Sequence, residues 1–404
     1  MSRFLFVVPP LQGHVNPTVS VGRELARRGH DVAWTGLPGA VDPLLPADAT
    51  FLPAGAPEAL GHVDDLRDRS KGLRSAAAFK FLWEHVLLPL AYAMVDGVDE
   101  VVGTWQPDVI VADQQTLAGA AVARRRNLPW ATSATTSAEL VDALAGLPRA
   151  EQWVDEQVSV FQACTGLPVW PGSSRALRCS DQLVLVFSTR RLVGEHIDFP
   201  PHYAFVGPSI SDRPDPTPFP WDWLDPSLPH VLVSLGTVNT GAGERFFTVA
   251  AEALADEKLQ AVFVAPPGLF GQDGATGDAA PDLLAPNLLV RDRVPQLTLL
   301  PHLDAVVSHA GHNTVCETLA HGLPLVLAPI RDDQPIVADQ VVQAGAGVRV
   351  RFGRVRPADL RDAVRQVLDE PLFRAAAGDI RRSFEAAGGA SAAATQLEAL
   401  PCVD

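Results

Sequence analysis

The chain has 404 residues, of which 47% are apolar, 20% charged and 7% aromatic. That is enough apolar material for two ordinary cores, and it excludes a disordered or collagen-like polymer. The formal charge is −15, from 32 basic and 47 acidic residues, which sets the chain against nucleic-acid backbones and anionic lipid surfaces as partners.

FLFVV at 4–8 is a continuous apolar run, as expected of a strand buried on both faces. A Pro/Gly loop follows, then a helix expected over Pro17–Arg28 and closed by Gly29. DVAWTG (31–36) reads as the next strand and completes a βαβ beginning. The stretch 75–102 carries Phe79, Phe81, Trp83, Val86, Leu87 and Leu90 and reads as one long amphipathic helix interrupted at Pro89. VIVA (109–112) and PWATSA (129–134) are further strands, with a helix expected over 118–127 between them. Six prolines within 212–229 predict a stiff, extended linker. Beyond it HVLVSLG (230–236), AVFVAP (261–266), NLLVRD (287–292), AVVSHAG (305–311) and PLVLAP (324–329) form a second alternating series.

Strands alternating with helices predict parallel sheets covered by helices. The expectation is therefore α/β, with two doubly wound Rossmann-like domains facing each other across a cleft. Their boundaries fall at 1–211 and 230–380, with the linker at 212–229 and a C-terminal helix, 381–404, packing back on the first domain. Ligands of such sheets bind beyond the carboxyl ends of the strands, so the function is sought there.

Other classes are set aside by what the sequence lacks. Cys164, Cys179, Cys316 and Cys402 are far apart, without CxxC pairing, which suits a reducing cytosol and offers no zinc site. The opening MSRFLFVVPP holds too short an apolar run for a secretory leader, and no run of about 18 apolar residues spans a membrane. GxxxxGK[ST], GxSxG, HExxH and an Asp-x-Asp pair are all absent. The expected setting is cytoplasmic, without a metal and without a resident cofactor. Lysine occurs only at 71, 80 and 258, so a bound phosphate must be held without the usual lysine ligand.

The most informative segment is 291–340. Strand AVVSHAG passes through Gly311 into a helix beginning near His312–Thr314. A helix N-terminus presents N–H groups and about half a positive charge, suited to a pyrophosphate. His309 adds a ring donor, Asn313 and Thr314 add side-chain donors, and Glu317, one turn further on, suits ribose hydroxyls. A strand–Gly–helix junction alone is common to every α/β protein. Here, however, VPQ at 294–296, HAGHNT with Glu317 at 309–317, and Asp333-Gln334 together resemble the donor signature of the family 1, GT-B-fold, nucleotide-sugar glycosyltransferases. Seven or more residues match over about forty positions, and the likeness runs along almost the whole chain. VIVADQQTLAGAAVA and FVGP resemble the bacterial natural-product and carotenoid glucosyltransferase branch.

The resemblance implies a nucleoside diphosphate sugar as co-substrate. Val294 would meet the base through its backbone and Gln296 the ribose. His309, Gly311, Asn313 and Thr314 would hold the pyrophosphate, Glu317 the ribose, and Asp333 and Gln334 the sugar hydroxyls. Thr237, in SLGT after the first strand of the second domain, would touch phosphate. The family's aromatic base-stacking residue is replaced by Arg293, whose planar guanidinium also stacks on a base. This leaves uridine and thymidine diphosphate sugars both open.

His14, in PLQGHVNP, and Asp113, after VIVA, both follow strand carboxyl ends in the first half. Taken singly, His14 is an ordinary loop histidine and Asp113 a helix cap. By resemblance, the matching histidine is the general base and the matching aspartate stabilises its imidazolium. An imidazole with a pKa near 6.5 suits that work at neutral pH. The resemblance implies an acceptor-binding first domain and a donor-binding second one. The reaction would be inverting transfer of a sugar to a hydroxyl of a hydrophobic small molecule of polyketide, macrolide, flavonoid or carotenoid type. Acceptor contacts stay unassigned: Phe79, Trp83 and Trp153 are candidates, each also readable as core. The alternatives are another GT-B nucleotide-sugar enzyme of epimerase type and a non-catalytic nucleotide carrier. An NAD dehydrogenase is weaker, because GTVNTGAG (236–243) has the wrong spacing for GxGxxG. A monomer and a homodimer fit equally.

Overall fold

The computed structural model describes residues 1–56, 69, 75–137, 140, 148–169, 173–210, 215–236, 243–270 and 283–400. It divides into two units, one of Met1–Thr189, Ile197–Ser211 and Ala387–Asp404, the other of Arg190–His196 and Asp212–Ala386.

In the first unit, strands β1 (Arg3–Val7), β2 (Asp31–Gly36), β3 (Phe51–Pro53), β4 (Val109–Asp113), β5 (Trp130–Ala134), β6 (Leu183–Val186) and β7 (Tyr203–Phe205) form one parallel sheet in the order β3-β2-β1-β4-β5-β6-β7. Alternation along β1 explains why FLFV is apolar throughout. Leu5 and Val7 enter a core with Ala33, Ile110, Ala112 and Met94. Phe4 and Phe6 enter the opposite one with Val15, Val19, Val111 and Leu397. Both faces are covered, so Phe4–Val7 are all buried and the strand meets water at Arg3, its first residue.

Two helices depart from the sequence expectation, each for a local reason. The first runs Gln12–Arg27, with Pro17 inside it rather than at its start. The amides of His14 and Val15 both donate to the Leu11 carbonyl, at 2.9 and 3.0 Å, so the first turn closes without the N–H that proline lacks. His14 consequently sits on a helix, not in a loop. The stretch expected as one long helix is helical over Ser75–Leu82 and Leu88–Trp105, joined by a π turn at Trp83–Leu87. The Leu88 amide reaches back five residues to the Trp83 carbonyl, and the widened turn accommodates Pro89 near the start of the next helix.

The second unit holds β8 (His230–Ser234), β9 (Gln260–Val264), β10 (Leu283–Ala285), β11 (Leu288–Arg291), β12 (Ala305–Ser308), β13 (Leu325–Leu327) and β14 (Gly347–Arg349), ordered β10-β11-β9-β8-β12-β13-β14. Only the β10–β11 pair is antiparallel among the described pairings. Val231, Val233, Phe263 and Val307 pack under the helices Glu244–Leu254 and Pro357–Asp369. Leu232, Val262, Leu289 and Val306 fill the other face.

The described part of the proline-rich stretch, 215–229, is not a free spacer. Phe219 is buried with Leu232 and Leu299, and the Gln260 amide donates to the Trp223 carbonyl at 2.7 Å. Apolar side chains between the prolines fasten the strap to the second unit. The segment Arg190–His196 also belongs to that unit, through Leu192, which packs with Ala377 and Ile380. No described helix is long and apolar enough to cross a membrane.

Candidate active site

Each unit gathers a set of functional side chains at the carboxyl ends of its central strands. In the first, β1 and β4 are neighbours with Val7 opposite Ala112. The helix leaving β1 and the last residue of β4 therefore emerge side by side. Asp113 faces Ser133 of β5 in register, and the two-residue period of a strand returns Thr135 to the same face.

His14 and Asp113 meet there. His14 Nδ1 lies 3.0 Å from Asp113 Oδ1 and 2.9 Å from Oδ2. The carboxylate side chain is fully buried, whereas the imidazole is 14% exposed. Asp113 Oδ1 also accepts the Gln115 amide at 2.9 Å, and Oδ2 accepts the Thr135 hydroxyl at 3.0 Å. Thr135 Oγ1 stands a further 2.7 Å from His14 Nδ1. Three donors thus converge on one buried carboxylate, an acceptor-only group when charged. Sequence reasoning did not single out Thr135; the available signal was a hydroxyl run (TSATTS) at the end of a strand neighbouring VIVAD.

In the second unit β8 and β12 are adjacent, with Ser308 opposite Ser234. His309 follows β12, and its ring is held between two glycines. A Cβ on Gly236 would fall 2.6 Å from the ring, and one on Gly311 2.4 Å from Nε2. Gly236 also has φ +67°, a backbone conformation that favours glycine. Burial pulls the His309 pKa down to about 4, against the opposing pull of Asp333 and a hydrogen bond to the Ser234 backbone. The ring is therefore neutral at pH 7. The helix His312–Ala320 starts at Gly311, which has no side chain to cap it, and Asn313 and Thr314 stand at the positive end of the helix dipole.

Glu317 is buried on this helix, and Gln296 Nε2 donates to its Oε2 at 2.6 Å. The two residues expected at the ribose are thus joined directly. Gln296 opens the short helix Gln296–Leu299 behind Pro295. The preceding Val294 anchors that turn by burying its side chain with Leu299 and Leu303. Asp333 precedes the helix Gln334–Gln343. Gln334 Oε1 accepts the Ile330 and Arg331 amides at 2.9 and 3.2 Å, so a sugar contact from Gln334 falls to its Nε2.

Other expected contacts are distributed differently. Arg293 is exposed beside buried Val294. Thr237 lies outside the described residues. Trp83 is a core residue, 2% exposed, with the Arg178 guanidinium 5.6 Å from its ring centre, whereas Phe79 and Trp153 are half-buried against the same core. Among the described residues no group of three or more His, Cys, Asp or Glu is arranged to hold a metal ion.

Comparison with known proteins points to one class. Residues 198–382 match the model of the family described as UDP-glucoronosyl and UDP-glucosyl transferase. The chain is 29% identical over 430 residues to 4'-demethylrebeccamycin synthase of Lentzea aerocolonigenes, covering 99% of both. It is 27% identical over 397 residues to the NDP-glycosyltransferase YjiC of Bacillus subtilis, covering 96% of this chain and 95% of the relative. Its fold is similar to that of the calicheamicin glycosyltransferase CalG4, with a TM-score of 0.77 at 24% identity over 99% and 98% of the two chains.

Proposed function

We propose that the chain is a nucleotide-sugar glycosyltransferase of the family described as UDP-glucoronosyl and UDP-glucosyl transferase, whose model matches residues 198–382, and that its own residues carry out sugar transfer as follows. The donor is a UDP- or TDP-sugar and the acceptor a hydroxyl of a hydrophobic small molecule. The observation that carries the residue assignment is the His14–Asp113 contact at 2.9 Å, a histidine held by a fully buried carboxylate.

His14 removes the acceptor proton as the acceptor oxygen attacks the anomeric carbon. The new carbon–oxygen bond forms as the bond to the diphosphate breaks, and the nucleoside diphosphate leaves with that electron pair. One displacement inverts the anomeric centre, and no carboxylate acts as nucleophile, unlike a retaining glycosidase. Asp113 stabilises the imidazolium, as the carboxylate of a hydrolase triad does. The first turn of the helix His312–Ala320, with neutral His309 beside it, stabilises the charge on the departing diphosphate. That assignment gives the leaving group its counter-dipoles from protein atoms, and protons and electrons balance within donor, acceptor and His14. The chemistry therefore asks for neither a metal nor a cofactor.

A panel of UDP- and TDP-sugars, incubated with a library of hydroxylated acceptors, tests this directly through nucleoside diphosphate release. Release that requires an acceptor supports transfer. Binding of nucleotide sugars with no release in any pairing would instead describe a carrier.

A further inference from the structure

The His14–Asp113 pair has a third partner. Thr135 lies one residue beyond β5 and is 3% exposed. Its Oγ1 stands 2.7 Å from His14 Nδ1 and 3.0 Å from Asp113 Oδ2. A hydroxyl has one proton to give and two lone pairs to receive. If that proton went to Nδ1, the imidazole lone pair would also face two carboxylate oxygens at 2.9 and 3.0 Å, a repulsive arrangement. Placing the proton on Oδ2 resolves the geometry: the hydroxyl then presents a lone pair to Nδ1, and every group around Nδ1 in this triangle is an acceptor.

We propose that Thr135 is a positioning residue for the base, closing a three-way hydrogen-bonded unit with His14 and Asp113 that holds the carboxylate, and through it the Nδ1-protonated ring, in place. The inference rests on the reading of His14 as the base. The Gln115 amide holds Oδ1, and Thr135 holds Oδ2 from the other side. The carboxylate is thereby clamped at both ends. The same hydroxyl oxygen gives the imidazolium a second acceptor as it forms. With the proton on Nδ1, Nε2 is the nitrogen that takes the acceptor's proton, so a wrong tautomer is an inactive one.

The test compares wild type with Thr135→Val, which keeps the shape without the hydroxyl, and Thr135→Ser, which restores it. Thr135→Val is expected to lower kcat by about 10- to 100-fold, as loss of a partner that orients a functional histidine does elsewhere, with KM for the nucleotide sugar unchanged, and Thr135→Ser to recover most of that loss. Nitrogen-15 NMR of histidine-labelled protein, with His14 identified by the signal lost in His14→Gln, should show the Nδ1–H tautomer in both wild type and Thr135→Val, so that the loss of kcat reports position and not tautomer. Wild-type kcat in Thr135→Val, or equal impairment in the Val and Ser variants, would overturn the proposal. So would an Nε2–H tautomer in the wild-type protein, a measurement that stands even if Thr135→Val fails to fold. Turnover surviving in His14→Gln strikes the base reading itself; an inert His14→Gln beside an unaffected Thr135→Val strikes only the role of Thr135.

Discussion

His309 sits where two strand ends and two glycines leave room for one imidazole, and the physical consequence of its burial is a ring that resists protonation. Burial lowers its pKa to about 4 from 6.5, with Asp333 and the Ser234 backbone pulling the other way. Between those two values the unfolded chain binds the proton and the folded chain does not. The stabilisation is therefore complete above pH 6.5 and is lost as the pH falls towards 4, on the order of 3 kcal/mol in all. Glu24 and Asp99, whose carboxyl pKa values are held down to about 2 by arginine partners, act over a lower range, below about pH 4.5, so the two effects separate. Urea unfolding of wild type and His309→Gln from pH 7 to pH 4 checks this. The variant should lose most of the slope between 6.5 and 4, and an unchanged slope would place the titration elsewhere.

At the level of elements, the helix that carries His14 is tied to the last helix of the chain, Gly389–Ala399. Arg28 reaches Glu24 at 2.8 Å, Glu398 at 2.7 Å, Thr395 at 2.9 Å and the Ser391 carbonyl at 2.9 Å. His30 Nε2 meets Glu398 Oε1 at 2.8 Å, while the Ser2 amide donates to its Nδ1 at 3.1 Å. An isolated surface pair contributes little, but one arginine shared among several acceptors and backed by a packed Leu397 is a fastening. Arg28→Ala is expected to lower stability by on the order of 1 kcal/mol, read by urea unfolding, whereas Arg382→Ala, which loses only an exposed pair with Asp379, should leave the midpoint where it is. Elements of this kind were unevenly legible in the sequence. The central strands announced themselves because both faces are covered and every residue of FLFVV or VIVA is apolar. β3, β7, β10 and β14 did not, being three residues long, and β6, LVLV at Leu183–Val186, went unread although it is apolar throughout. Pro17 misplaced a helix start by five residues, because proline favours a first turn and here stands in the second.

For the whole molecule, the acidic balance speaks against nucleic-acid and lipid partners, and in the proposed function the diphosphate is met locally by a helix N-terminus, a neutral histidine and amide donors in place of lysine. The candidate site was legible where chemistry is carried by rare residue types at fixed spacing, as in HAGHNT with Glu317, or by strand ends in adjacent register, as for His14 and Asp113. It was illegible where a common residue acquires its role only through packing. Thr135 is 121 positions from His14 and unremarkable in composition, and the Gln296–Glu317 bond appears only once two helices are placed. The account as a whole turns on His14. A single preparation of His14→Ala, assayed for transfer with a productive donor and acceptor and titrated with the same donor nucleotide by calorimetry, tests it most directly. The expected result is no detectable transfer with nucleotide affinity close to that of wild type; transfer at the wild-type rate would contradict it.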